Sequence, residues 1–308
     1  MKFSANNVAF GRHETFHLRF AWLSKGFSAL QKDQTLFENP DKATVTLGVG
    51  KNMVSAIRYW LRATQLIDVK TDEPTEIGNY IFDTKKGVDP FLEDQGTLWL
   101  IHWLLATNTE LSTTIAWFFN KYHKTSFDQS ELRAALSNFL QDEVKSTQRP
   151  AGSTLKNDVS VITRLYAKTQ GASVAEDALD SPLSELGLMS EHGKSSYIST
   201  FESRDDLPYQ ILGFAILQLM AERETKIVPI EELIHSAEDF VSPGSVFRLS
   251  ESSFMLKLEE LVRQNPNHFQ LREETAGLRQ LFLLEPLTDL KLLKAYYAED
   301  TTKVEAAA

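Results

Sequence analysis

The stretch LGVGKNMVSAIRYWLRATQLI (47–67) predicts a tight turn followed by a long amphipathic helix. Gly48 and Gly50 are expected to supply the turn, because glycine adopts backbone conformations that other residues avoid. Apolar residues recur on one side of the helix at helical spacing: Met53, Ile57, Trp60, Leu61 and Ala63–Thr64. Polar and cationic residues fall mostly on the other side: Lys51, Asn52, Ser55, Arg58 and Arg62. The pattern predicts a helix that buries one face and presents a basic one.

The segments on either side of this helix predict a small domain. Upstream, residues 20–32 are expected to form a helix whose apolar residues share one face: Trp22, Phe27 and Leu30. Asn39-Pro40 is interpreted as a break in the chain. Downstream, residues 67–70 and 74–78 are interpreted as a short hairpin. Helices followed by a small ribbon are typical of winged-helix proteins, so we expect a DNA-binding domain of that kind.

Charge is distributed unevenly along the chain. The whole sequence has a formal charge of −10, yet residues 1–70 hold ten Lys or Arg against five Asp or Glu. A basic segment joined to an acidic remainder is expected where one domain meets a polyanion. The alternative is a chance fluctuation of surface charge. On the first interpretation the partner is double-stranded DNA, and the expected contact residues are Arg12, Arg19, Lys25, Lys51, Asn52 and Arg58.

The rest of the chain predicts more helices and short strands. A second unit of similar plan is expected to begin at the capping sequence Asp128–Glu131, with strands around Gly193. Further helices are expected at 97–107, 111–121, 154–167, 207–223, 229–238 and 250–264, and strands at 269–271 and 281–284. The first of these helices contains LWLIHWLLA (98–106), which is too short to cross a membrane. The predicted fold class is mainly α with small β-ribbons, an α+β fold of tandem winged-helix-like units joined by buried helices.

The distribution of charge and of predicted elements also indicates domain boundaries, and the cysteine content indicates a compartment. We expect a basic domain at 1–88, a helical middle domain at 89–205 and an acidic helical domain at 206–303, with 304–308 as a cloning remnant. The sequence contains no cysteine, which excludes disulfides and thiolate metal sites. The expected compartment is therefore the reducing cytoplasm, and no membrane partner is expected.

One motif suggests a different chemistry. His13-Glu14-Thr15-Phe16-His17 matches the zinc-protease pattern H-E-x-x-H, in which a helix places both histidines on one face. Glu14 would then activate a metal-bound water. The alternating residues after the motif suit a strand as well as a helix, and no convincing third ligand is present. Zinc proteolysis is kept as a distant alternative.

Acidic residues gather in the segment DPFLED (89–94), just before the helix at 97–107. Carboxylates can hold Mg²⁺ or another divalent cation for phosphodiester cleavage, and the candidate metal ligands are Asp89, Glu93 and Asp94. The catalytic candidates are these three acids with Glu14, and with His13 or His102 as proton-transfer groups. Spacing alone favours the alternative, a helix N-terminus stabilised by acids, with His102 as a core residue.

Several motifs occur in the same order as in a known bacterial family. They are HETF (13–16) with Leu18-Arg19 and Trp22-Leu23, LGVGKNMVSAIRYW (47–60), DPFLED (89–94), TLWLIHWLLA (97–106), Phe118–Asn120, Lys156, Asp158-Val159, Ser181–Leu183, Leu186–Leu188, Pro243-Gly244 and Phe247. Across nearly its whole length, the sequence resembles the family catalogued as domain of unknown function 4007. His17 falls outside the family's pattern, which weakens the zinc-protease interpretation.

The resemblance implies a place in the Ssp system of DNA phosphorothioation and phage defence. There the family member is a nickase that cuts one DNA strand, so that sulfur can replace a non-bridging phosphate oxygen. The implied partners are a cysteine desulfurase, an ATPase and a sulfur-transfer protein. The function expected from residues and resemblance together is a metal-dependent DNA nickase. The alternative is a non-enzymatic winged-helix adaptor or regulator that recruits sulfur-transfer enzymes to DNA.

Overall fold

The computed structural model describes residues 7–144, 149–168, 181–193, 195–236, 241–273 and 277–307. Its contacts divide the chain into two compact units. Among the described residues, the N-terminal unit contains those from 7 to 118 together with those of Tyr122–Thr200, and the C-terminal unit contains Phe119–Lys121 together with those from Phe201 onward. Residues 237 and 238, at the end of the helix predicted at 229–238, and Ala308, in the predicted remnant, lie outside the described residues. The expected three-domain division stays a prediction.

The predicted fold class, mainly α with small β elements, is confirmed. The elements up to Ile198 are α1 (Phe20–Lys32), α2 (Pro40–Leu47), α3 (Lys51–Ala63), α4 (Glu76–Phe82), α5 (Gln95–Thr107), α6 (Thr113–Lys121), β1 (Ser126–Asp128), α7 (Gln129–Phe139), α8 (Gly152–Tyr166), β2 (Ala167–Lys168), β3 (Met189–His192) and β4 (Ser196–Ile198). Short 3-10 turns at Leu36–Glu38 and Pro182–Leu186 and a π turn at Leu140–Val144 connect some of them.

Helices α1, α2 and α3 pack on one another through their buried apolar residues. Helix α1 buries Trp22, Leu23, Gly26, Phe27 and Leu30. Helix α3 buries Val54, Ala56, Ile57, Trp60, Leu61 and Ala63. Trp60 is fully buried, and its indole N–H donates to the Phe16 carbonyl at 3.2 Å. The amphipathic helix expected after Gly50 is therefore confirmed, and its apolar side is the core of this part of the unit.

The hydrophobic segment expected to form a buried helix does so. Helix α5 buries every residue from Gly96 to Thr107. Asp94 caps its start, since Asp94 Oδ1 accepts from the Thr97 amide at 2.8 Å. Among the described helices, none is long and apolar enough to cross a membrane.

A four-stranded sheet with the order β1-β4-β3-β2 comes after these helices. Strand β4 pairs antiparallel with β1 and β3, while β2 pairs parallel with β3. Phe127 lies opposite Tyr197 in the register, and their rings stack with centroids 6.0 Å apart. The strands expected around Gly193 are confirmed as β3 and β4, and the capping box from Asp128 to Glu131 starts α7 as expected.

The C-terminal unit consists of a helical group and a second small sheet. Its elements are α9 (Tyr209–Glu222), β5 (Ile227–Pro229), α10 (Ile230–Ile234), α11 (Pro243–Val246), α12 (Glu251–Gln264), β6 (Phe269–Glu273), β7 (Arg279–Leu283) and α13 (Asp289–Ala307). Helix α9 is buried on nearly all sides and packs against α12 and α13. The sheet is antiparallel with the order β5-β7-β6. Arg248 is fully buried, with its guanidinium 5.0 Å from the Phe201 ring centroid.

Local expectations for the first domain are met only in part. Asn39-Pro40 does end a helical segment, the 3-10 turn Leu36–Glu38, but it also starts α2, because Asn39 Oδ1 accepts from the Lys42 amide and proline suits the first helical position. The expected hairpin is reduced to an isolated bridge between Ile67 and Pro74, after which α4 begins at Glu76. Thr75 caps α4 through its hydroxyl, which accepts from the Gly78 amide at 3.0 Å. The winged-helix arrangement of this domain is therefore not confirmed.

Gly78 in α4 gives a stability prediction. A Cβ at this position would lie 2.1 Å from the Leu66 carbonyl oxygen and 2.8 Å from Phe27 Cε2. Because the nearest atom belongs to the backbone, the clash cannot be relieved by a side-chain rotation. Gly78→Ala is expected to lower the free energy of unfolding by about 3 kcal/mol, measured by urea denaturation.

The matched control is Gly152→Ala, at the first residue of α8, where nothing lies within 4 Å of an added Cβ. That change is expected to alter the free energy of unfolding by less than about 1 kcal/mol. Equal destabilisation by both substitutions would contradict the close packing of α4 on Leu66.

Candidate nucleic-acid interface

Helices α2 and α3 are joined by a turn of three residues, Gly48 to Gly50. Gly48 adopts the left-handed conformation with φ 58°, which ends α2 and which L side chains rarely adopt. Gly50 is the N-cap of α3 and makes no side-chain cap bond, so the first amides of α3 are not capped by a side chain. Backbone amides at such a helix start favour anionic groups, including phosphate.

Lysine and asparagine side chains surround this turn. Lys51 and Asn52 occupy the first turn of α3 and are exposed. Lys25 on α1 is also exposed, and its Nζ lies 4.0 Å from the position that a Cβ on Gly48 would take. The structure therefore brings together three of the six predicted DNA contacts: Lys25, Lys51 and Asn52.

The Lys51 ammonium is paired with an acid on α2. Its Nζ lies 2.8 Å from Asp41 Oδ1, and both side chains are exposed. The hydrogen bond and charge of Asp41 raise the pKa of Lys51, and those of Lys51 lower the pKa of Asp41. Exposed pairs of this kind are weak in water, so a phosphate can replace Asp41 as the partner.

Arg58, which was expected to contact DNA, forms an ion pair with Asp72 in the same unit. Its Nε and NH2 donate to Asp72 Oδ2, and Arg62 Nε donates to Asp72 Oδ1 at 2.6 Å. Asp72 is 7% exposed, and its φ of 60° is unusual for a non-glycine residue. This three-residue network fixes the loop after α3 to the helix. DNA contact by Arg58 stays a prediction, and the structure gives the side chain a partner within the unit.

Arg12 and Arg19 lie near the start of the described chain. Arg12 is on the turn before His13, and Arg19 is the N-cap residue of α1, with its guanidinium 5.5 Å from the Trp22 ring centroid. Arg164 on α8 donates to the Thr15 carbonyl at 2.8 Å. Burial lowers the pKa of Arg164, and the nearby Arg19 charge lowers it further. Arg19 and Arg164 thus form a second cationic region of the same unit.

The HExxH segment is a turn and not a helix. Glu14 and Thr15 have φ values of 51° and 66°, so the two histidines do not share a helical face. His13 is 5% exposed; its Nε2 bonds to Asp158 Oδ1 at 2.9 Å, and its Nδ1 accepts from the Thr15 amide at 3.1 Å. Both ring nitrogens are therefore used inside the protein. The turn therefore does not provide the helical geometry that the distant zinc-protease alternative requires.

Asp158 on α8 was not among the site residues predicted from the sequence. It is 4% exposed and accepts from the Gly11 amide, His13 Nε2 and the Thr114 hydroxyl. Burial and the Asp158 charge both raise the pKa of the nearby Tyr59 well above its usual value. The space beside this network measures only ≈ 20 Å³, too little for a substrate. Asp158 therefore holds the N-terminal segment on α8. Its signal in the sequence was a polar residue on the buried side of a predicted helix.

Two of the three acids of DPFLED, Asp89 and Asp94, accept hydrogen bonds from backbone amides. Asp89 is 6% exposed, and its two carboxylate oxygens accept from the amides of Glu93 and Asp94 at 2.9 and 3.0 Å. Asp94 is the cap of α5, as the alternative interpretation of these acids expected. Glu93 is exposed. Within the described ranges, no group of three or more His, Asp or Glu side chains is arranged to hold a metal ion.

In the part of the chain that the structure describes, these residues are therefore not grouped as a set of ligands for Mg²⁺. The metal role of Asp89, Glu93 and Asp94 stays a prediction that the geometry does not support. His102 is fully buried in α5, with its Nδ1 2.8 Å from the Tyr166 hydroxyl. Its ring also lies edge-on to Trp99. The structure places His102 in the core, away from any role in proton transfer to solvent.

Two solved structures are similar to this chain over most of its length. One is described as "Magnesium ion-bound SspB crystal structure"; the TM-score is 0.83 at 31% sequence identity, with 94% of this chain and 88% of that chain covered. The other, "SspB crystal structure", has a TM-score of 0.82 at 31% identity, with coverage of 96% and 90%. A search among curated proteins gave no match. Residues 10–297 match the family described as "Protein of unknown function (DUF4007)". The match covers nearly the whole chain, and the protein therefore belongs to the DUF4007 family.

Proposed function

We propose that this protein is the DNA-nicking component of an Ssp-type DNA phosphorothioation and phage-defence system. The observation that carries the proposal is the similarity to the SspB structures, which extends over 94% of this chain at 31% identity. Such coverage includes both compact units rather than one shared domain. A cysteine desulfurase, an ATPase and a sulfur-transfer protein are its proposed partners, in the cytoplasm.

Duplex binding is assigned to the turn between α2 and α3. The exposed side chains of Lys25, Lys51 and Asn52 support this assignment, together with the α3 amides that no side chain caps. Lysine and amide groups at a helix start neutralise and orient phosphate, whatever the DNA sequence. Arg12 and Arg19 extend the proposed contact surface, whereas Arg58 contributes indirectly by fixing the loop after α3.

The acid–base chemistry of strand cleavage is assigned to Glu14 and Glu93. Both are exposed, in contrast to Asp89 and Asp94, whose carboxylates accept from backbone amides. A base must come within hydrogen-bond reach of the attacking water or hydroxyl, and the exposed carboxylates of Glu14 and Glu93 are open to such a contact. One of the similar structures is described as magnesium ion-bound SspB, which supports Mg²⁺ as the proposed cofactor.

A second candidate function is that of a DNA-binding adaptor without catalytic activity. The observation in its favour is that the acids of DPFLED are used to fix a loop and to cap α5. An adaptor needs the same cationic surface but no reactive group. It would bring the sulfur-transfer proteins to DNA while another protein cuts the strand.

A supercoiled-plasmid assay distinguishes the two candidates. With Mg²⁺ present, the purified protein is expected to convert supercoiled plasmid into open circles, and Glu93→Gln is expected to slow the conversion by about 100-fold. The matched control is Glu76→Gln, which removes an exposed acid from the first turn of α4 and should leave the rate unchanged. Plasmid retarded in a gel but never nicked, with and without the partner proteins, would refute the nickase and support the adaptor.

The duplex-binding surface is tested separately from cleavage. Replacing both Lys25 and Lys51 with glutamine is expected to weaken binding to a short duplex and to reduce the slope of log K against log salt by about 2, because each lysine neutralises one phosphate. Fluorescence anisotropy at several salt concentrations measures both quantities. Lys291→Gln, at an exposed lysine of α13, is the control. An unchanged slope in the double variant would place the duplex elsewhere.

A further inference from the structure

A pocket of ≈ 460 Å³ opens beside α1 in the N-terminal unit. Its lining includes Phe20, Ser24 and Lys25 of α1, Phe82 at the end of α4, and Phe91 of the DPFLED loop. The volume falls in the range of sites that bind small molecules and single nucleotides. None of the residues that line it carries a carboxylate.

Two aromatic rings at this pocket face solvent. Phe91 is 72% exposed and Phe20 is 43% exposed, unusually high values for phenylalanine. A lone exposed apolar side chain needs no explanation, but two that border one pocket indicate a binding surface. The Ser24 hydroxyl is buried in the wall and has no hydrogen-bond partner among the described residues. It is available to a polar edge of a ligand.

The loop that carries Phe91 is held in a fixed shape. The Asp89 carboxylate accepts from the amides of Glu93 and Asp94 and so closes the loop around residues 90–92. Leu92 is 2% exposed and has a φ of 61°, so the loop buries Leu92 while it turns Phe91 outward. The acids that the sequence offered for catalysis therefore determine where Phe91 lies. Positive φ at leucine is a cost that the surrounding contacts must offset.

One cationic side chain lines the pocket. It is Lys25, and Thr84, another lining residue, is followed in sequence by the exposed Lys85 and Lys86. Asp83, which precedes Thr84 and does not line the pocket, accepts from Gln31 and from the amides of both lysines. Glu93 is an exposed acid on the same loop as Phe91, and it is not among the lining residues. Exposed aromatic rings beside a lysine complement a nucleotide, whose base stacks on the rings and whose phosphate contacts the ammonium group.

We infer that this pocket receives an unstacked base from a single DNA strand, a role that rests on the proposed function and adds a ligand class to it. Phe91 and Phe20 stack on the base, and Lys25 contacts the adjoining phosphate. Because Lys25 also lies beside Gly48, the pocket adjoins the proposed duplex surface at the start of α3. A DNA strand that separates from the duplex at the start of α3 would therefore reach this pocket. Stacking accepts any base, so this site is independent of sequence.

The test measures binding of a fluorescein-labelled oligothymidine of about ten nucleotides by anisotropy. Phe91→Ala is expected to weaken binding at least ~5-fold, whereas Phe91→Trp retains it and gains a fluorescence that the oligonucleotide quenches. Phe91→Leu keeps an apolar side chain without a ring and is expected to behave like Phe91→Ala. Leu256→Ala is the matched control, because Leu256 is 67% exposed on α12.

Binding of a short duplex by the same variants separates this inference from the proposed function. Unchanged duplex affinity with weakened oligothymidine affinity in Phe91→Ala supports the base pocket. Oligothymidine affinity that is equal in wild type and Phe91→Ala overturns it, even if plasmid nicking is observed. The inference is also overturned if Phe91→Leu binds oligothymidine as tightly as the wild type does. It is likewise overturned if light scattering shows that Phe91→Ala changes the oligomeric state while oligothymidine binding is retained. Retention by Phe91→Leu would indicate an apolar protein ligand, and the altered oligomeric state would indicate a contact with another copy of the chain.

Discussion

The burial of one face of α3 is the constraint on which the N-terminal unit depends. Trp60 at the centre of that face is fully buried and donates to the Phe16 carbonyl, which ties α3 to the turn that contains His13. The His13 ring lies nearly parallel to the Trp60 indole and bonds to Asp158 on α8. One packed tryptophan thus connects α3, the N-terminal turn and α8. The exposed face of α3 is fixed in place because the other face has no freedom to move.

Charged residues in this unit serve two separate purposes. Buried carboxylates, Asp72, Asp89 and Asp158, accept several hydrogen bonds each and fix loops. Removing such a group would leave donors without partners in a dry environment, which is costly. Exposed groups such as Lys25 contribute little to the stability of the fold and can bind a ligand. Burial therefore separates the charges that hold the fold from those that are available for binding.

The sequence interpretation was most reliable where one apolar period covers a whole element. The amphipathic helix after Gly50, the buried helix α5 and the capping box at Asp128 were predictable from spacing and capping rules. Sequence interpretation was least reliable where a short motif has two physical meanings. Asn39-Pro40 can break a helix or start one, depending on the residues after the proline, and HExxH requires a helix that this chain replaces with a turn.

The helical character, the basic N-terminal segment and the family could be predicted from composition, periodicity and ordered motifs. The use of each charged group could not, because it depends on neighbours that the fold brings together. Asp158 lies 145 residues from His13 in sequence, yet their side-chain atoms are 2.9 Å apart. Whether a carboxylate is free for chemistry or occupied by amides depends on such long-range neighbours. Local spacing contains no information about which distant donor a carboxylate will meet.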